Sequence, residues 1–251
     1  MKKTSVIAFL FLLPLHTLLA QHDFEYRKTA SVSGAEKGTV TLEIPAGELE
    51  VKAGAASLVE TQVQYSKSEW LPVFTSNNSK TAPVLTFSQK EMSDSNGENI
   101  KNEWLVNLSK TTPLDLYIKM GAGKTTLNLQ NSPLHKLTLD AGAVGSDIDL
   151  RGSKVTDVTL NAGVGEVNLD LRGNWDHDVD VDISGGIGEI TIRLPKNTGV
   201  RVKSSGLGSR NMANLQKDGN SYVNAAMGQS KHVIDITVAA GLGSVTVLQE
   251  K

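Results

Sequence analysis

The region from Leu114 to Leu194 repeats one pattern about every 21 residues. Its units read LDLYIKMGAGKTTLNL, LTLDAGAVGSDIDL, VTLNAGVGEVNLDL and VDISGGIGEITIRL. Each unit joins two runs of alternating apolar and polar residues through a corner that contains glycine. The first corner glycines are Gly121, Gly142, Gly163 and Gly186, spaced 21, 21 and 23 residues apart. Repetition at such a period is typical of solenoids and other repeat arrays.

Aliphatic residues recur at the same positions in every unit, five and three residues before each first glycine and six and eight residues after it. Successive side chains of a strand point to opposite faces, so the pattern predicts strands with one buried face and one face in water. The corners need glycine because a tight bend requires a positive φ or a close approach of two backbones. Among these positions, Leu139, Leu160, Leu169 and Ile183 are predicted to be structural core residues. The sixteen aliphatic positions are Leu116, Ile118, Leu127, Leu129, Leu137, Leu139, Ile148, Leu150, Val158, Leu160, Leu169, Leu171, Val181, Ile183, Ile192 and Leu194.

Two strand arrangements fit this pattern. In a parallel solenoid each unit stacks on the next, so Leu127 lies beside Ile148, its equivalent one unit on. In an antiparallel meander each glycine corner is a hairpin turn, and the two arms of one unit pair with each other. Identical aliphatic columns favour the solenoid, because each unit then buries its apolar face on its neighbour. The sequence thus predicts an all-β fold, a parallel β-solenoid with glycine-cornered rungs of about 21 residues.

Residues 1–20 have the pattern of a secretory signal peptide. Lys2 and Lys3 supply the positive charge, Val6 to Leu13 is apolar, and Ala20 precedes the expected cleavage site. The segment is too short for a membrane-spanning helix, which needs about 20 apolar residues. We therefore expect an exported protein, periplasmic or extracellular, with no transmembrane segment.

The remaining chain divides into two regions. Residues 24–110 are less regular and are predicted to form an N-terminal cap and irregular rungs. Within them, Thr41 to Val51 looks like one more unit with Pro-Ala-Gly at its corner. Residues 111–250 are predicted to form the regular solenoid, with further corners at Gly206 and Gly241. The polar stretch 211–231 is predicted to be a loop excursion from it.

Composition excludes several functions. Without residues 1–20 the chain has 23 Lys and Arg against 27 Asp and Glu, a net charge of −4. A mildly acidic chain with interspersed charges argues against a nucleic-acid partner. The absence of Cys excludes disulfides, thiol catalysis and Cys-ligated metal sites.

Two acidic groups are the strongest candidates for chemistry. Glu166 and Glu189 occupy equivalent positions in adjacent units, so parallel stacking places their backbones about 4.8 Å apart. That is near the carboxylate spacing of retaining glycosidases, about 5–5.5 Å. The densest ligand-like cluster consists of Asp176, His177, Asp178, Asp180 and Asp182. Both groups also fit an ordinary solvated strand face, which we favour, so the sequence predicts no catalytic, cofactor-binding or metal-binding residue.

Three short segments resemble a known family. The run NEWLVNL at residues 102–108, PLDL at 113–116 and Gly-Ala-Gly at 121–123 are similar to the toast-rack family of bacterial domains of unknown function. More loosely, they resemble β-solenoid domains known as putative adhesins. The likeness covers Thr39 to Leu171 and departs from the family pattern at Lys124 and at the displaced Gly145. It implies a right-handed parallel solenoid exported to the envelope or surface, and it brings no catalytic residue.

Three functions are compatible with these features. We favour a non-enzymatic exported scaffold or adhesin-like module that contacts an envelope polysaccharide or another envelope protein. The second is an envelope-stress sensory or partner-docking module, since related solenoids occur in envelope-stress regulators. The third is a polysaccharide-active enzyme, which needs Glu166, Glu189 and a basic residue in one groove. Fold alone does not choose among them.

Overall fold

The computed structural model describes residues 23–32, 34–77, 79–91 and 100–249, and the predicted signal peptide lies outside them. The described residues form strands and one short 3₁₀ turn, Ser68–Trp70. None of the described segments is a helix long and apolar enough to cross a bilayer. The strands are β1 (Phe24–Ala30), β2 (Gly38–Ala55), β3 (Val59–Tyr65), β4 (Val73–Ser76), β5 (Val84–Ser88), β6 (Asn102–Ser109), β7 (Leu114–Asn128), β8 (Leu134–Asp149), β9 (Asp157–Asp170), β10 (Val179–Leu194), β11 (Gly199–Ala213), β12 (Gln216–Asp218), β13 (Ser221–Val223) and β14 (Val233–Gln249).

These strands belong to one long sheet. Its order from edge to edge is β1, β3, β6, β2, β7, β8, β9, β10, β14, β11, β13 and β12, while β5 pairs with both β2 and β4. Every neighbouring pair from β6 through β11 is parallel. Antiparallel pairs occur only towards the two ends among the described strands. A nearly all-β chain with one mostly parallel sheet is consistent with the predicted solenoid.

The register of the parallel strands shows how the units stack. Leu127 lies opposite Ile148, and Leu169 lies opposite both Ile148 and Ile192. The antiparallel meander is therefore wrong for this region. In β7 the buried positions are even-numbered before residues 121–124 and odd-numbered after them. The strand consequently turns at this exposed corner, so that both of its arms face one interior.

The interior is built from the predicted aliphatic columns. All sixteen positions are at most 3% exposed. Among them Leu139, Leu160, Leu169 and Ile183 belong to one continuous core cluster that runs from Ala30 to Val247. Burial of each such side chain contributes about 1.5–3 kcal/mol, which makes these columns the main source of stability in a chain without disulfides.

At the N-terminal end, strand β2 continues the stack. Ala46 lies opposite Ala122 and Gly47 opposite Gly123, so Pro-Ala-Gly occupies the corner position. The other side of β2 is shared by β5 and β6. Asn102, at the start of β6, donates a hydrogen bond to the Ala46 carbonyl oxygen (2.6 Å) and thereby ties β6 to this corner.

At the C-terminal end, strand order departs from chain order. Strand β14 lies between β10 and β11, and Ile236 is opposite both Val181 and Val202. The register between β11 and β14 shifts at Gly206/Leu207, which explains why the aliphatic residues before Gly206 are displaced by one position in the sequence. Within the predicted loop excursion 211–231, residues 211–213 complete β11, and β12 and β13 form a hairpin. The division of the chain at residue 110 stays a prediction.

Candidate interaction surface

A line of exposed aliphatic side chains follows the glycine corners at the C-terminal half of the sheet. Its members are Val164, Ile187, Leu242 and Leu207, which we call the corner ridge. Ile187 lies opposite both Val164 and Leu242, and Leu207 lies opposite Leu242. They are 51, 56, 57 and 71% exposed in spatial order. Neighbouring strands are about 4.8 Å apart, so the four side chains form a continuous apolar strip.

The side chains at the corner position become larger from β2 towards the C-terminal strands of the sheet. The corresponding positions in β2, β7 and β8 are Ala46, Ala122 and Ala143, all in the same register. The alternation of the repeats predicts polar outward positions and gives no sign of an apolar ridge. The detectable sign was the middle residue of each Gly-x-Gly corner, which becomes a large aliphatic in the later units.

The corner glycines hold this ridge because they let the strands stack closely. At Gly186 an added Cβ would collide with the carbonyl oxygen of Gly163 in the neighbouring strand. Of the two reasons that the sequence offered, a positive φ or a close backbone approach, the close approach applies at Gly186. The same collision with a neighbouring carbonyl would occur at all six predicted corner glycines, which are Gly121, Gly142, Gly163, Gly186, Gly206 and Gly241.

The two candidate carboxylates lie beside the ridge. Glu166 is opposite Glu189 in adjacent strands, as predicted, and both are exposed. Neither forms a hydrogen bond or ion pair within the described part of the chain. A retaining glycosidase needs one acid that donates a proton and one that attacks, and here both carboxylates lie exposed on the surface. Their geometry therefore forms an acidic row along the ridge.

The Asp/His cluster is occupied by contacts within the protein. Asp176 accepts from Lys154 Nζ (2.6 Å) and lies 2.7 Å from His177 Nδ1, and these hydrogen bonds hold its pKa well below the ordinary value. Asp178 accepts from the Val233 backbone N–H (2.9 Å), which is the main cause that lowers its pKa. Among the described residues, no group of three or more His, Asp or Glu side chains is arranged to hold a metal. Asp176, His177 and Asp178 thus fasten the segment before β10 to the segment before β9 and to the first residue of β14.

A ladder of ion pairs closes the opposite corners of the rungs. Arg151 contacts Asp149 (2.7 Å), and Arg172 contacts Asp170 (2.7 Å) through the same Asp-Leu-Arg-Gly sequence. Arg151 also lies 3.7 Å from Asp170, which links the two rungs. Burial raises the pKa of Asp170, but the hydrogen bonds and charge of Arg172, with the charge of Arg151, outweigh it, so the pKa lies below the ordinary 3.8.

This lowered pKa predicts a pH-dependent stability. A carboxylate whose pKa is lower in the folded state stabilises the fold above its unfolded pKa, and the contribution is lost as the pH falls through the folded pKa. At neutral pH, Asp170→Asn should therefore reduce the free energy of unfolding by roughly 1.5–3 kcal/mol. The difference should shrink below about pH 4 and close at lower pH. Urea unfolding across this pH range measures it.

The control for this prediction is Asp147→Asn. Asp147 forms an exposed pair with Lys124 at 3.6 Å, and such pairs contribute about 0–1 kcal/mol. Its effect should be small at every pH. A difference between wild type and Asp170→Asn that stays constant down to the lowest pH would contradict the assignment of the ladder as an ionic one.

Bent parallel strands that stack through glycine corners and bear an apolar ridge define a β-repeat protein. A family model described as "N-terminal domain of toast_rack, DUF2154" matches residues 20–155 and 129–193. The chain therefore belongs to the toast-rack family. None of the curated proteins matches the sequence.

Solved structures resemble the chain to different extents. A "putative cell adhesion protein" from Clostridium sporogenes is 29% identical, with a TM-score of 0.69 over 91% of this chain and 100% of that chain. A "putative adhesin" from Bacteroides fragilis is 12% identical, with a TM-score of 0.36 over 91% and 98%. A "putative lipid binding protein" from Parabacteroides distasonis is 10% identical, with a TM-score of 0.34 over 92% and 98%. At TM-scores this low, the last two carry no weight for fold or function.

Proposed function

We propose that the protein is a non-enzymatic, adhesin-like interaction module, built as a right-handed β-solenoid and exported to the cell envelope or surface. The observation that carries the proposal is the corner ridge, whose four aliphatic side chains are 51–71% exposed in one line. Contiguous exposed apolar surface marks a site of contact with another molecule. The similarity to a "putative cell adhesion protein" supports an adhesive role, and the pattern of residues 1–20 supports export.

The chemistry of the ridge favours a protein partner over a polysaccharide. Sugar hydroxyls need hydrogen-bond partners when they are buried, and the ridge offers aliphatic side chains and glycine. The Trp residues Trp70, Trp104 and Trp175 are all buried, so none is available to stack on a sugar ring. An outward corner is convex, which means that the partner must present an apolar groove.

The acidic row beside the ridge narrows the partner further. Glu166 and Glu189 would face the rim of such a groove. Complementary charges across an interface raise the rate of association and suppress wrong partners. A groove on another envelope protein, with basic side chains beside Val164 and Ile187, therefore fits.

The test is the affinity of the fluorescently labelled protein for washed cells of the strain that produces it. Replacing Ile187 and Leu242 together with Ser should raise the Kd at least about tenfold, because each buried aliphatic contributes about 1.5–3 kcal/mol. The matched control replaces Leu71 and Val73, exposed aliphatics near β4, with Ser. This control should bind like wild type and melt at the same temperature as the ridge variant.

Two further measurements separate the alternatives. Protease treatment of the cells should abolish binding, and binding that survives protease but requires an envelope polysaccharide would contradict a protein partner. Assaying the same supernatants for released sugar tests the enzymatic reading. Release that disappears in Glu166→Ala would contradict a non-enzymatic function.

A further inference from the structure

The terminal long strand, β11, has an edge that is only partly covered. Strand β14 accompanies it from Gly199 to Ala213 on one side. On the other side β13 pairs with it only at Arg201 and Val202 among the described strands. Just before that point, both backbone groups of Val200 bond to Asn224, so this end of the edge is closed (N–H to Asn224 Oδ1, 2.9 Å; Asn224 N–H to the Val200 carbonyl, 3.2 Å).

The uncovered part, residues 204–211, includes the end of the corner ridge. Leu207 is 71% exposed, the highest value among the exposed large apolar residues of the described chain. Each preceding strand of the ridge is covered by the next strand, whose aliphatic corner residue lies beside its own. A further strand with an aliphatic residue beside Leu207 would continue both the sheet and the ridge.

The charge of β11 differs from that of the strands inside the stack. It contains Arg201, Lys203 and Arg210 and no acidic residue, whereas β9 and β10 contain three acidic residues each. Arg201 is neutralised by Asp235 at 2.9 Å. Lys203 and Arg210 have no ion-pair partner in the described part of the chain. The open edge therefore carries uncompensated positive charge on both sides of Leu207.

Arg210 has an unusual position for a charged residue. It lies opposite Val245, which lies opposite Ile190, so it ends a column of inward-facing aliphatic residues. Its guanidinium turns back over its own strand, where Nη2 donates to the Gly206 carbonyl and Nε donates to Ser204 Oγ (3.2 Å). An incoming strand can replace both contacts, because its backbone N–H groups bond to the edge and its carboxylate bonds to the guanidinium.

We propose that the open edge of β11 binds an extended acidic segment of another protein by strand addition. Backbone hydrogen bonds would supply affinity, and contacts to Lys203, Leu207 and Arg210 would supply specificity for an aliphatic residue flanked by Asp or Glu. A second copy of the chain fits less well, because two β11 edges would bring like charges together. The inference deepens the proposed interaction role and rests on it, but it concerns a surface that can be tested separately.

The experiment measures fluorescence anisotropy of a labelled peptide of roughly ten residues, a usual strand length, titrated with the full chain. The peptide alternates Val or Thr with Asp and has a central Leu. It should bind, and Arg210→Glu with Lys203→Glu should raise its Kd roughly tenfold or more, as expected for the loss of charge-assisted hydrogen bonds. The matched control, Lys80→Glu with Lys110→Glu, reverses two exposed lysines outside this edge and should leave the Kd unchanged.

Two further peptides distinguish strand addition from simple charge attraction. The first has Lys in place of Asp, and the second keeps Asp but carries N-methyl groups on alternate backbone nitrogens. Both should bind at least about tenfold more weakly. Equal binding of the N-methylated peptide would overturn strand addition, and equal binding of the Lys peptide would overturn the acidic specificity.

Sedimentation of the chain without peptide tests the alternative occupant. A monomer is expected. A dimer that Leu207→Asp dissociates would overturn the proposal in favour of a second copy. The variant Ile187→Ser with Leu242→Ser should still bind the peptide, and the variant Lys203→Glu with Arg210→Glu should still bind cells. Failure of one proposal therefore does not imply failure of the other.

Discussion

Leu160→Asp is expected to unfold the protein at neutral pH. Leu160 is 1% exposed and lies between Leu139 and Ile183 in neighbouring strands. Removal of a buried leucine costs about 2–5 kcal/mol through lost burial and the remaining cavity. The new carboxylate must in addition be buried without a partner or be protonated, which costs several kcal/mol more. The sum is comparable to the whole stability of a typical domain, about 5–15 kcal/mol.

Thermal unfolding followed by circular dichroism measures this effect. Leu160→Ala should give an intermediate Tm, because it creates the cavity without the charge. Thr138→Asp is the matched control, since residue 138 faces outward on the adjacent strand and lies opposite Tyr117 and Thr159. A Tm of Leu160→Asp equal to that of wild type would mean that residue 160 does not face the interior.

The repeat region could be predicted from the sequence because its information is local. Alternation identified which face of each strand is buried, and the identical aliphatic columns indicated that equivalent residues lie side by side. Leu127 beside Ile148 confirms the stacking that these columns predicted. The sequence offered a positive φ or a close approach of backbones as the reason for the corner glycines, and their partner carbonyls required the structure.

Strand order at the two ends could not be predicted in this way. β14 and β11 both have a Gly-Leu-Gly corner, and the one-position displacement before Gly206 does not by itself place β14 next to β10. That choice depends on long-range pairing and on the hairpin that allows the chain to return. Asn102 shows the same limit, because it belongs to a recognisable run whose physical role, a hydrogen bond to the Ala46 carbonyl, appears only when β6 meets β2.

The candidate interaction surface was missed for a related reason. Alternation along the sequence separates the inward from the outward residues of each strand arm, and the corner belongs to neither arm. Val164 and Ile187 lie between two corner glycines, so the alternation assigns them to neither face. Only the three-dimensional register, in which Ile187 lies between Val164 and Leu242, shows that they form one apolar line.

Gly123→Ala should strongly destabilise the protein. Gly123 has a φ of +124°, and an added Cβ would collide with the carbonyl oxygen of Gly47 in β2. The strained backbone alone costs about 1–3 kcal/mol, and the collision also forces two hydrogen-bonded strands apart.

Gly145→Ala is the matched control, because its φ is not positive and no atom lies within 4 Å of its added Cβ. Chemical denaturation should therefore show Gly145→Ala near wild type or slightly more stable, since the loss of glycine flexibility in the unfolded chain is worth about 0.4–1 kcal/mol. Equal losses at the two positions would contradict the close stacking of corners on which the whole sheet depends.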